Sequence, residues 1–243
     1  MSNDNSQKDQ SEQVATASAE DARSRVGRER RERMIERLMD ASMQFCAEQG
    51  RLPTVVDDVI KTADVSRGTF YKYFDSVDEL IELAGTRLSE QSIREGVVMV
   101  ANVDRPIYRT AVGLRLIFAR SLIDPNWGAF ACRRVFVGRG NFIENHASKE
   151  YAAGKTVGEY SFDRLDTVID ITLGAVAAAV RRLSSGSVGD DYIVETSVHI
   201  LLALGARSRD AADATAAAID FVATHGPTHL SWWRETRAAH ATL

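Results

Sequence analysis

Residues 54–74 read TVVDDVIKTADVSRGTFYKYF: two short helices, a tight turn between them, and a closing cluster of aromatic and basic side chains. Thr54 is placed to cap the first helix, with Asp57 three residues on in the acidic position of a capping box. Val55, Val56, Val59 and Ile60 recur at helical spacing and give that helix a buried face. It should end near Thr62, with Ala63, Asp64 and Val65 forming the turn. Ser66 then caps a second helix over 67–74, too short and too polar to exist for its packing. Phe70 and Phe74, four apart, turn inward. Arg67, Thr69, Tyr71, Lys72 and Tyr73 are left facing out, with Gly68 between the first two. Hydroxyl and basic groups on one short helix suit the phosphates of a duplex, and Arg and Thr suit its base edges. The motif, about residues 55–74, is therefore expected to be a helix-turn-helix whose second helix enters a major groove.

The runs V-S-R-G-T-F-Y-K-Y-F at 65–74 and S-x-D-E-L at 76–80 resemble the DNA-binding domain of the TetR family of transcriptional regulators, over about residues 30–90. The resemblance implies an N-terminal three-helix DNA-binding domain and a C-terminal helical domain that binds a small effector and dimerises. Two positions depart from the family pattern. Asp64 stands where the turn usually has Gly, and Asp tolerates a left-handed backbone at some cost. Val77 stands where a phosphate-binding Lys is common, which leaves Ser76 and the free amides of the following helix for that contact.

The chain of 243 residues, 44% hydrophobic and 26% charged, fits an ordinary soluble protein of one or two domains. Four prolines and scarce strand-like alternation make it all-α. Its net charge of −4 would by itself argue against nucleic acid, but the charge is partitioned. Residues 23–74 carry 11 Lys/Arg against 8 Asp/Glu, while residues 1–22 have net charge −4 and residues 75–243 net charge −3. The positive charge lies where the helix-turn-helix lies. Cys46 and Cys132 are far apart in apolar contexts, which suggests a reducing compartment and no disulfide framework. With no apolar signal run and no membrane-length apolar stretch, a cytoplasmic, nucleoid-associated protein is expected.

Residues 1–22, rich in Ser, Gln, Asn and acids, are expected to be a disordered tail. Residues 23–76 form the DNA-binding domain and 77–243 the effector-binding and dimerisation domain. The arginines between 23 and 31 read either as a basic arm reaching DNA or as a solvated helix face paired with Glu29, Glu32 and Glu36. The first helix is expected from about 27 to 49, ended by Gly50. A fourth helix follows Ser76 to about 100, a fifth starts at Pro106 and a sixth follows Asp124-Pro125-Asn126. Gly138-Arg139-Gly140 should break that sixth helix, and a weaker helix spans 143–158. Apolar and small residues over 163–183 and 192–206 predict an antiparallel hairpin, too apolar to be covered within one chain. A homodimer through about 163–206, as a four-helix bundle, follows. A last helix over 209–224 should stop at Gly226-Pro227.

No catalytic set emerges: the five histidines are scattered, no cysteine pair has metal spacing, and no cofactor or metal is implied. The spacing of His225 and His229 would suit a zinc helix, but Gly226-Pro227 between them argues against it. A non-enzymatic regulator is expected. Its effector pocket, implied by the resemblance, has candidate walls in Tyr108, Arg115, Phe118, Trp127, Phe130, Phe136 and Tyr151, which suit a small apolar effector, aromatic or acyl. The expected function is a dimeric repressor of a palindromic operator, bound to double-stranded DNA and released by that effector. The alternative is an architectural or division-linked DNA-binding protein of the same fold without an effector.

Overall fold

Ten helices succeed one another along the described residues: α1 (Asp4–Gln49), α2 (Val56–Ala63), α3 (Arg67–Tyr71), α4 (Val77–Met99), α5 (Pro106–Ile123), α6 (Pro125–Arg134), α7 (Phe142–Thr156), α8 (Leu165–Ser184), α9 (Asp190–Ala203) and α10 (Ser208–His229). The structure, a computed structural model, describes residues 4–137 and 141–233, with backbone alone for 4–24 and 190. The expected break at 138–140 lies outside the described residues. Every described element is helical, so the chain is all-α.

Helix α1 begins far upstream of the start expected near Gly27. Residues 4–26 contain neither Gly nor Pro and include four Ala and three Gln, so no helix breaker stops a helix from propagating backwards. Its core-facing stripe is confined to the C-terminal half, where Ile35, Leu38, Met39, Ser42, Phe45 and Cys46 are buried. Gly50 ends it at φ 66°, as expected.

Helix α3 has five residues and cannot hold itself by its own hydrogen bonds. Phe70 (0% exposed) and Phe74 (3%) hold it, their rings 5.9 Å apart. Each ring so buried contributes about 1.5–3 kcal/mol. The helix stops at Tyr71, short of the expected residue 74, because the chain turns at 72–73 to bring Phe74 into the core. Helix α4 starts on Ser76, whose Oγ accepts the amide of Glu79 at 3.1 Å, while Glu79 Oε2 accepts the amide of Asp75 at 2.7 Å. The acid reaches one residue further back than in the usual box.

Two apolar clusters divide the core. One joins α1–α4 to α5, α6 and α8 through residues such as Leu38, Val59, Phe70, Leu80, Phe118, Trp127, Phe130 and Val180. The other gathers α5, α7, α8, α9 and α10 around Ile107, Tyr151, Leu201, Leu204 and Val222. Helix α6 is clamped between the DNA-reading head and the body. Cys46 Sγ donates to the Ala129 carbonyl at 3.2 Å, Arg133 Nε donates to the Gly50 carbonyl at 3.0 Å, and Arg134 pairs with Glu82 of α4. On its other side Gly128 meets α8 so closely that a Cβ there would fall 1.9 Å from Ser184 Oγ.

The α8–α9 hairpin forms as expected. Helix α10 runs past Gly226-Pro227 to His229, where the sequence suggested a stop. Pro227 removes an amide only in the last turn, so the cost is one hydrogen bond at a frayed end. His225 and His229 consequently stay on one helix with ring centroids 6.4 Å apart. Each Nδ1 sits on the main-chain carbonyl one turn back, at 2.8 and 2.9 Å.

Candidate nucleic-acid interface and effector cavity

Helices α2 and α3 meet through a turn in which Asp64 adopts φ 50°, ψ 56° and caps the C-terminus of α2. It is the one non-glycine residue with positive φ among those described, at the position where the sequence suggested a left-handed backbone. Arg37 of α1 braces this turn, its Nη2 donating to the Asp64 carbonyl at 3.2 Å.

The start of α2 differs from expectation. Val55, not Thr54, is the N-cap residue, and Asp58, not Asp57, is the acid that reaches back. Asp58 Oδ2 accepts the amides of Thr54 at 3.1 Å and Val55 at 3.4 Å and pairs with Arg51 at 3.1 Å. These bonds hold its carboxyl below the ordinary carboxylate value against the opposing push of burial. The geometric reason is that Pro53 and the extended Val55 delay the helix by one residue. Thr54 itself is exposed, with Arg51 Nη1 at 3.4 Å from its hydroxyl.

At the other helix, Ser66 is the N-cap as expected: its Oγ accepts the Thr69 amide at 3.0 Å. The Thr69 hydroxyl is bound back to Ser66 at 2.8 Å and is half-buried, so it is less available to a duplex than its spacing implied. Arg67, Gly68, Tyr71 and Lys72 are exposed, and the Tyr71 ring is fixed edge-on to Phe70 at 5.6 Å. Tyr73 is half-buried under the guanidinium of Arg31, 5.3 Å from its ring centre. Arg31 thus braces the reading helix. Arg67 Nη2 donates to Asp57 Oδ1 at 2.6 Å, an ion pair between α2 and α3 that the sequence did not suggest.

The body contains a partly open cavity of about 100 Å³ lined by α4, α5, α6, α7, α8 and the segment after α10. Of the residues expected to line a pocket, Trp127 and Tyr151 do so. Phe118, Phe130 and Phe136 are buried in the core instead, at 0%, 0% and 3% exposure. Tyr108 packs beneath Arg105 at 4.9 Å, and Arg115 is half-buried outside the cavity wall. Both stand on the side of α5 away from the residues that line it.

The lining residues Arg109, Thr110, Gly113, Ile117 and Arg120 fall on one face of α5 by helical spacing. That periodicity was the signal available in the sequence, and selecting aromatic residues by type missed it. At one end Arg109 Nε donates to Glu150 Oε2 at 2.8 Å, with His146 beside them. Burial lowers the His146 pKa, the neighbouring Glu150 opposing it, so the ring is neutral near pH 7. At the other end Trp232 Nε1 donates to Glu95 Oε2 at 2.8 Å. The Arg120 guanidinium lies 4.0 Å from the same carboxylate, with the Trp127 and Trp232 rings at 4.8 and 5.8 Å. Trp127 is 1% exposed, and its indole N–H has no acceptor among the described residues. Most of the wall is apolar, and its charges balance as two arginines against two glutamates.

Among the described residues no helix is long and apolar enough to cross a membrane, and no group of three metal-type ligands occurs.

No curated protein matches the chain. Among solved structures, RolR in complex with the ligand resorcinol is similar in fold, with TM-score 0.57 and 22% identity over 77% of this chain and 95% of that one. RolR without ligand gives TM-score 0.55 and 20% identity over 74% and 96%. Residues 38–84, from the core-facing half of α1 through the two motif helices into α4, match the pattern of the bacterial regulatory proteins of the tetR family. A helix-turn-helix that matches the tetR-family pattern over residues 38–84, carried on an all-helical body of the RolR fold, is what this chain shares with those regulators.

Proposed function

We propose that the chain is a homodimeric repressor that grips a palindromic operator with two copies of α3 and is released by a small single-ring effector. The observation that carries this reading is the apolar cavity whose walls include both α4 and α6. Those two helices also pack against the head, α6 on α1 and α4 on α1. A ligand that spreads the cavity therefore pushes on both supports of the reading helix. Such a ligand changes DNA affinity only as far as it prefers one head spacing over the other.

Arg67 is proposed for base edges, and Ser66, Tyr71 and Lys72 for phosphates, with Thr69 and Tyr73 in secondary roles. The half-sites would lie about one helical turn apart or a little more. For the dimer, the outer face of the α8–α9 hairpin supports pairing with a second copy. Ile171 is 52% exposed, beside Ala175, Tyr192 and Ala203. The RolR structure holds resorcinol, one ring with two hydroxyls. A cavity of about 100 Å³ is of the same order as the roughly 150 Å³ engineered void that admits benzene, so a single ring suits it after modest side-chain movement. The neutral charge balance favours an uncharged ligand, since an extra buried anion would lack compensation.

The test is selection from a library of genomic duplexes at physiological salt, followed by titration of the bound complex with monocyclic phenols, resorcinol among them. Enrichment of one palindrome and its release by a phenol supports the whole reading. Dispersed, salt-sensitive binding with no preferred sequence and no release supports the architectural alternative.

A further inference from the structure

Asp57 has no part in capping α2, because Asp58 supplies the carboxylate for the Thr54 and Val55 amides. Asp57 instead points across to the next helix and accepts a hydrogen bond from Arg67 at 2.6 Å. Arg67 is the first residue of α3, where a cation meets the positive end of the helix and gains nothing from it. Both side chains are about half exposed, so the pair adds little to folding. An acid beside a DNA-facing helix also repels phosphate. Stability does not account for the arrangement, and neither does general affinity for DNA.

Geometry offers an account. A guanidinium is a planar fork of five donors, and bidentate recognition of guanine O6 and N7 needs two of them held in plane. A solvent-exposed arginine must lose rotamer freedom to reach that pose. Asp57 takes one donor of Nη2 and Tyr71, one turn further along α3, stands against the same guanidinium. Among the described residues no other hydrogen-bond partner engages the rest of the fork.

Resting on the DNA-binding reading above, we propose that Asp57 is a specificity-determining positioning residue: it holds the Arg67 fork edge-on for one guanine in each half-site and keeps it off the phosphates. The residue exchanges non-specific affinity for base selectivity.

The test is selection of the full-length wild type, Asp57→Ala, Arg67→Ala and Arg67→Lys against a randomised duplex library, with salt-dependent affinity for the selected and a scrambled duplex. The expected wild-type motif has one dominant guanine per half-site. Arg67→Ala and Arg67→Lys lose the preference there, because Lys keeps the charge and lacks the fork. Asp57→Ala loses at least tenfold of the preference at that same position. It binds scrambled DNA as tightly as wild type or more so, with a steeper salt dependence as Arg67 turns to phosphate. Its melting temperature stays within a few degrees of wild type, which separates this effect from unfolding. An unchanged guanine preference in Asp57→Ala overturns the proposal and leaves the pair as a surface contact. Tighter operator binding with unchanged preference also overturns it and makes Asp57 a brake. A wild type that enriches no sequence overturns the regulator reading and this proposal with it.

Discussion

Gly113 offers a direct measurement of whether the cavity is real space. It lies inside α5, lines the cavity, and a Cβ built on it meets nothing within 4 Å. Sterics therefore do not require glycine there, and glycine in a helix interior costs about 1 kcal/mol relative to alanine. Gly113→Ala recovers that amount and adds part of the roughly 0.8 kcal/mol for burying one more methyl group. A stabilisation of about 1–1.5 kcal/mol is expected, which for a chain of this size raises the melting temperature by roughly 2–4 °C per kcal/mol. Calorimetry with a parallel urea titration reads it. Gly113→Leu goes further, because its side chain would occupy much of the roughly 100 Å³ void. That variant is expected to bind operator like wild type and to ignore any phenol that releases wild type. A lower melting temperature for Gly113→Ala would mean that the space is closed, and a Gly113→Leu protein still released by ligand would put the effector elsewhere. Either result refutes the reasoning.

Trp232→Phe keeps an aromatic ring, though a smaller one, and loses the N–H that Glu95 accepts, while Gln91 Nε2 still serves that carboxylate at 2.9 Å. The loss of this partly buried bond to a charged group should cost about 1–2 kcal/mol, visible in urea unfolding; no change would show that the segment after α10 does not hold α4. His146 has a pKa lowered by burial, so unfolding takes up a proton once the pH falls below its ordinary value of about 6.5. Its contribution is present above that pH and lost as the pH falls through the lower folded value, so His146→Gln should flatten the acid limb of a stability–pH curve; an unaltered limb would mean the ring is solvated. Burial raises both thiols, Cys46 to about 11, and both are under 7% exposed. An aromatic disulfide reagent at pH 8 should therefore label neither in the native chain and both in urea, and rapid native labelling would contradict the packing of α6 on α1.

Local chemistry made the head legible in the sequence. The Ser66 cap, the Phe70–Phe74 pair, the Gly50 stop and the turn at Asp64 are each set by residues within a few positions of one another, and all appear where the spacing put them. The helix-turn-helix and the all-helical class follow from that alone. Short-range reasoning failed where two helix signals competed within one turn. Asp57 and Asp58 are equally plausible caps on paper, and the extended Val55 after Pro53 selects the second. A sequence window sees Gly226-Pro227 as a stop, whereas near the C-terminal end of α10 the proline costs little. What only the tertiary structure decided is which side chains face one another across helices. Phe118, Phe130 and Phe136 were as plausible as Trp127 for a cavity wall, because residue type reports that a ring is buried and not what it is buried against. The cavity is defined by Glu95, Gly113, Arg120, Trp127, His146 and Trp232, drawn from five helices or segments spread over 138 positions of the chain. The Asp57–Arg67 pair bridges two helices whose crossing the turn alone sets. Helix periodicity is written in the order of residues, but the contact between two helices depends on their mutual angle, which the whole core fixes together.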